Sequence, residues 1–117
     1  MTLSEKQRFF TMLVGVLIEK AYDMGYELTF GDAYRSPEMA AIYAKQGKGI
    51  KNSLHTKRLA IDLNLFKNGE YQMDSEAYRK IGEYWESLST GGIKCCWGGR
   101  WRRPDGNHFS VEHNGIQ

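Results

Sequence analysis

Two stretches of the sequence place a histidine near an aspartate: His55 with Asp62, and Asp105 with His108. Two histidines and one carboxylate are a usual ligand set for a catalytic zinc, with a fourth position left for water. Binding to such an ion lowers the pKa of that water toward neutrality. A further carboxylate, near the ion but not on it, then takes and returns the proton. The chain offers one acid more than the ligand set needs. Either Asp62 binds and Asp105 acts as base, or the reverse, because each acid sits close to a histidine. Read separately, each stretch is only a solvated acid and a loop histidine. The chemistry requires a fold that joins them.

The residues from Leu59 to Phe66 alternate in character as a strand does. Ala60, Asp62 and Asn64 share one side, while Leu59, Ile61, Leu63 and Leu65 form the core side. His55 precedes this strand, where a turn can fold its imidazole back toward Asp62. Asn68-Gly69 then predicts a hairpin onto Glu70-Tyr71. On the far side of the chain, Arg103-Pro104-Asp105-Gly106 has the composition of a tight turn with proline in its second position. Asn107 to Val111 continues as an extended segment with His108 and Ser110 facing one way.

The remaining elements follow from capping and periodicity. Residues 4–24 predict a helix with Ser4 as N-cap, Gly25 just past its end, and Phe10, Leu13, Val14, Leu17 and Ala21 on one face. Tyr26 to Gly31 reads as a short strand with Leu28 and Phe30 on one side. Ser36 caps a helix that starts at Pro37 and runs to Lys45, which leaves Arg35 at the junction, where a side chain readily enters a site. Gln46 to Asn52 is a glycine- and lysine-containing loop. Asp74 or Ser75 opens a helix through Leu88 with Tyr78, Ile81, Tyr84, Trp85 and Leu88 on its apolar stripe, and Ile93 to Trp97 is a short strand. This order predicts a single α+β domain over residues 1–117, a small antiparallel sheet with helices packed on one side.

Composition narrows the function classes. An apolar content of 41% is that of a folded chain, and a net charge of +2 with no long basic block argues against a nucleic-acid partner. The apolar run Phe9 to Ile18 is too short to span a bilayer, which takes ~20 residues, and no small-x-small cleavage site follows it. No signal peptide and no stable membrane association are therefore expected. Cys95 and Cys96 are adjacent, a spacing that rarely bridges, and read as reduced core or strand residues. His113 lies five residues beyond His108 and so faces the other way on an extended strand. Trp97 and Trp101 could stack on a substrate, although buried packing is the commoner use of tryptophan.

The motif Ser53-x-His55-x-x-Arg58-x-Ala60-x-Asp62 resembles the Ser-x-His-x-x-Gly-x-Ala-x-Asp pattern of the D-alanyl-D-alanine carboxypeptidase-like zinc peptidases. That group includes VanY-type carboxypeptidases and phage L-alanyl-D-glutamate endolysins. Two further signatures match in order: Arg35-Ser36 early in the chain, and Trp97-Gly98-Gly99-x-Trp101 followed by Asp105-x-x-His108-Phe109. The three span residues 34–110.

The resemblance implies a Hedgehog/DD-peptidase-like fold, with His55, Asp62 and His108 as zinc ligands and Asp105 as general base. It implies that Arg35 stabilises an oxyanion, and that Ser53 contacts substrate or orients a ligand. Arg58 stands where the pattern usually has glycine, which implies that the backbone there need not be left-handed or that the loop differs. The implied partner is the peptidoglycan stem peptide. The expected protein is a monomeric phage-type endolysin cutting L-alanyl-D-glutamate, with a D-alanyl-D-alanine carboxypeptidase or a non-catalytic wall-binding relative as alternatives. Such an endolysin is made in the host cytoplasm and released to the wall by a separate membrane-permeabilising protein.

Overall fold

The computed structural model describes residues 1–117. Helix α1 covers Leu3–Asp23 and presents Phe10, Leu13, Val14, Leu17 and Ala21 to the interior. Its N-cap is Thr2 rather than Ser4. The Thr2 hydroxyl accepts from the Glu5 N–H while the Glu5 carboxylate accepts from the Thr2 N–H, a reciprocal capping box. Strand β1 (Tyr26–Phe30) follows, and its last side chain, Phe30, is exposed. Helix α2 (Pro37–Lys45) is capped by Ser36, whose hydroxyl accepts from the Met39 N–H, and starts on Pro37.

The central strand β2 (Ala60–Lys67) turns at Asn68-Gly69, both with positive φ, into the two-residue β3 (Glu70–Tyr71). A 3₁₀ turn (Ser75–Tyr78), capped by Asp74, leads into α3 (Arg79–Ser87), so the expected single helix is two joined pieces. Strands β4 (Cys95–Trp97) and β5 (His108–Val111) complete an antiparallel sheet of order β1-β2-β5-β4, with β3 on β2. The fold is the expected α+β arrangement.

One cluster of buried side chains joins the helices to the sheet: the α1 face, Ile81 and Trp85 of α3, Leu63 and Leu65 of β2, and Phe109 and Val111 of β5. Trp85 is fully buried, and its indole N–H donates to both the Cys96 and Ser110 carbonyls, tying α3 to adjacent strands β4 and β5. Removing such a side chain costs about 3–5 kcal/mol. The Tyr78 hydroxyl makes a similar tie, accepting from the Leu65 N–H and donating to the Gln72 carbonyl. Cys95 and Cys96 are buried and free. Burial pushes the Cys95 thiol up to about 11, the environment of an inert thiol and not of a nucleophile. No helix is long and apolar enough to cross a membrane.

Candidate active site

The pairing of β2 with β5 sets Asp62 opposite His108. Residues directly opposite in an antiparallel pair share a face, so both side chains leave the sheet together. His55 arrives from a separate 3₁₀ turn (Leu54–Lys57) just before β2. Ser53 caps this turn: its hydroxyl accepts from the His55 N–H at 3.2 Å. The three ligand-capable atoms, one from each of His55, Asp62 and His108, lie within 4.8 Å of one another. His55 Nε2 is 3.3 Å and His108 Nδ1 is 3.6 Å from Asp62 Oδ1.

The donor atoms are prepared for a cation. His55 Nδ1 lies 2.8 Å from the Ala33 carbonyl and donates to it, which places the lone pair on Nε2, facing Asp62. Both histidines are buried, and Asp62 Oδ1 is buried with no hydrogen-bond partner. Its approach to the imidazoles is therefore electrostatic. Burial acts to raise the Asp62 carboxyl, but the imidazoles of His108 and His55 outweigh it and hold the group at about 2. For His55 the balance runs the other way: burial acts to lower it, and Asp62 with the Ala33 carbonyl raises it above its ordinary value. An orphaned buried carboxylate oxygen that forms a triangle with two imidazole nitrogens fits a divalent ion. A tetrahedral centre with bonds of about 2.0–2.1 Å separates its ligand atoms by about 3.3 Å.

These groups open into a cleft of about 670 Å³, also lined by Arg35, Lys48, Trp101, Arg103, Asp105 and Asn107. Trp101 tilts over His108 at 4.4 Å between ring centroids, so it packs on the site, whereas Trp97 is buried in the core and does not line the cleft. Asp105 is exposed along its residue surface, yet protein crowds its carboxyl, and this burial together with repulsion from Asp62 raises its pKa. The tight turn lies two residues later than the proline composition implied. The His108 N–H donates to the Asp105 carbonyl, so the turn runs from Asp105 to His108.

That turn is anchored from three sides: Asp105 N–H to Gly98 O, Trp97 indole N–H to Gly106 O, and Gly106 N–H to the Ser75 hydroxyl. A Cβ on Gly98 would lie 2.2 Å from the Asp105 carbonyl oxygen and 2.8 Å from His108 Cβ. Only glycine permits this approach, which explains the Trp-Gly-Gly run.

Arg35 is mostly buried. Its guanidinium pairs with Asp32 at 2.8 Å and lies 4.9 Å over the Tyr43 ring, while its buried Nε has no partner. The Asp32–Arg35 segment is stitched to both sides of the site. The Asp62 N–H donates to Asp32 O, the Gly31 N–H donates to Asp62 O, and the Arg35 N–H donates to His55 O.

Ser53 is buried and is not among the residues that line the cleft; its hydroxyl caps the turn that carries His55. The backbone at Arg58 is left-handed, with φ 55° and ψ 37°, at a cost of roughly 1–2 kcal/mol for a residue with a Cβ. His113 sits apart, its Nδ1 3.2 Å from Lys6 Nζ. Sequence reasoning missed the Ala33 carbonyl, Asp32 and Ser75. Asp32 alone left a local signal, an acid three residues before Arg35.

A family model described as D-alanyl-D-alanine carboxypeptidase matches residues 46–111, over half of the chain. The chain belongs to this peptidase family. Zinc dependence is general to the family, and the chain is a peptidase. The crystal structure of the Serratia marcescens L-Ala D-Glu endopeptidase ChiX superposes with a TM-score of 0.67 at 18% identity, over 93% of this chain and 85% of that one. That likeness is one of fold. No curated protein matches the sequence.

Proposed function

We propose that the protein is a zinc peptidase that cleaves the L-alanyl-D-glutamate bond of peptidoglycan stem peptides. The observation that carries the reading is the pairing of a closed His55–Asp62–His108 cluster with a separate carboxylate, Asp105, in one cleft. A binding module needs no spare acid beside its ligands. The fold shared with an L-Ala D-Glu endopeptidase supports the choice of bond.

In this reading His55 Nε2, Asp62 Oδ1 and His108 Nδ1 would hold zinc, which would supply Lewis-acid polarisation of the scissile carbonyl and a water of lowered pKa. Asp105 takes a proton from the attacking water and returns it to the leaving amine, a role suited to a carboxyl raised from its ordinary range. Arg35, held in place by Asp32 and Tyr43, lines the cleft and would stabilise the charge that develops on the carbonyl oxygen. Ser53 supports His55 from below. Residues 1–117 act as one catalytic domain, as a monomer. We extend the reading to a phage-type endolysin made in the host cytoplasm, which reaches the wall once a separate protein has permeabilised the membrane.

The test is digestion of purified sacculi by zinc-loaded protein and by an Asp105→Ala variant, with the released peptides identified by mass spectrometry. New L-alanine carboxyl ends, absent with the variant, support the endopeptidase. The family description favours a second reading, a D-alanyl-D-alanine carboxypeptidase, which would instead release free D-alanine. Intact sacculi after incubation with the loaded protein would sink both.

A further inference from the structure

We propose that Arg58 is a positioning residue for the metal-binding histidine: its guanidinium, stacked on Tyr34, clamps residues 33–35 against the turn that carries His55. The inference rests on the role proposed above for His55.

The starting point is a backbone strain with no local return. Arg58 closes the 3₁₀ turn in the left-handed region, which glycine would occupy freely. A strained residue of this kind persists where the surroundings use what it places. Its guanidinium carbon lies 4.0 Å from the centroid of the Tyr34 ring, and no carboxylate pairs with it. The single strong contact of this side chain is therefore with Tyr34.

Tyr34 stands between the two rungs that fix His55. On one side, the Ala33 carbonyl receives the His55 Nδ1–H at 2.8 Å. On the other, the Arg35 N–H donates to the His55 carbonyl at 3.1 Å, an oxygen that the Arg58 N–H also approaches at 3.5 Å. The left-handed bend at Arg58 turns its side chain back over this segment. The stack thus closes a ring, Tyr34–Ala33–His55–Arg58, whose product is the tautomer and tilt of one imidazole. The same clamp fixes the root of Arg35.

Arg58 and Tyr34 are both exposed, so their cation–π attraction is weak and does not exceed the cost of the left-handed backbone. The stack therefore contributes little to net stability, and its effect is on geometry. Groups that orient a ligand histidine directly change metal affinity by about 10–100-fold. Arg58 acts one contact further out, so an effect of about three- to tenfold is expected.

The experiment measures zinc affinity by competition with a chromophoric chelator, alongside thermal melting of the metal-free proteins. Arg58→Gly should bind zinc about three- to tenfold more weakly while melting no lower than the parent. Tyr34→Leu should show the same loss, and the double variant no further loss, because both remove one stack. Arg58→Lys and Tyr34→Phe, which keep a cation and a ring, should stay within about twofold of the parent. Parental zinc affinity in Arg58→Gly, or additive losses in the double variant, would overturn the clamp. His55→Ala separates the layers. Zinc retained in that variant overturns the ligand reading and this inference with it. Zinc lost there but bound normally by Arg58→Gly overturns this inference alone.

Discussion

Asp62 and His108 stand directly opposite each other across β2 and β5, yet exchange no backbone hydrogen bond. The Asp62 N–H goes to Asp32 and the His108 N–H to Asp105. Theirs is therefore a non-hydrogen-bonded pair, the class in which opposing side chains come closest. The outcome is a carboxylate oxygen 3.6 Å from an imidazole nitrogen of His108 and 3.3 Å from one of His55. The sheet register itself builds two thirds of the cluster.

Metal content tests that cluster. The parent should bind about one zinc per chain, measured by atomic emission after gel filtration, and His55→Ala or His108→Ala should lose it. His113→Ala should keep its zinc, since its imidazole lies beside Lys6 and outside the cluster. Zinc in His55→Ala at the parental level would show a different ligand set.

Asp105→Asn should separate binding from catalysis. The variant should hold zinc normally while kcat falls by about 10²–10⁴-fold, the range of a lost general base. A parallel loss of metal would mean that Asp105 is a ligand instead.

Arg35→Ala should lower kcat by about 10²–10³-fold with a smaller change in KM, as for a donor used mainly in the transition state. Asp32→Ala should give a milder defect of the same kind, because Asp32 holds the guanidinium at 2.8 Å without entering the chemistry. Equal losses in KM and none in kcat would reassign Arg35 to ground-state binding.

Stability of the metal-free protein should depend on pH through Asp62 and His55. Asp62 is held at about 2 against an ordinary 3.8, so its contribution is complete above the ordinary value and is lost as pH falls through the folded one. That shift corresponds to about 2 kcal/mol. His55 is raised above its ordinary 6.5, so its contribution is complete below that value and is lost as pH rises through the folded pKa. Chelator-treated protein should then melt a few degrees higher at about pH 5.5 than at about pH 8.5 or about pH 2. Zinc should reverse the alkaline half of this trend, because the ion and the proton compete for the imidazoles. A flat profile between about pH 5.5 and 8.5 without metal would exclude the Asp62–His55 coupling.

Gly98→Ala should destabilise the fold by about 1–3 kcal/mol, as overpacking does, because the new Cβ meets the Asp105 carbonyl at 2.2 Å. It should also displace Asp105, so activity should fall even at temperatures where circular dichroism shows a folded protein. Parental activity in this variant would mean that the Gly98–Asp105 contact does not set the base.

What the sequence determined by itself is local. The Ser36-Pro37 helix start, the Asn68-Gly69 hairpin and the alternation that turns Asp62 away from the leucines each depend on a few neighbouring residues, whose preferences can be read directly. The spacing of His55 and Asp62 is likewise written in one short motif. Even locally the reading had limits: Thr2, boxed with Glu5, caps the helix in place of Ser4, and the turn forms at Asp105–His108, where the backbone bond closes, and not at the proline.

Tertiary structure decided everything that joins distant segments. The Asp62–His108 register, the Ala33 carbonyl that sets the His55 tautomer and the Ser75 hydroxyl under Gly106 lie 46, 22 and 31 residues apart in the chain. Composition encodes none of these pairings, because a backbone carbonyl or a single hydroxyl carries no residue-type signature. Arg58 shows the same division. Its sequence left the backbone conformation open, and the structure puts it in the left-handed region with the guanidinium over the ring of Tyr34.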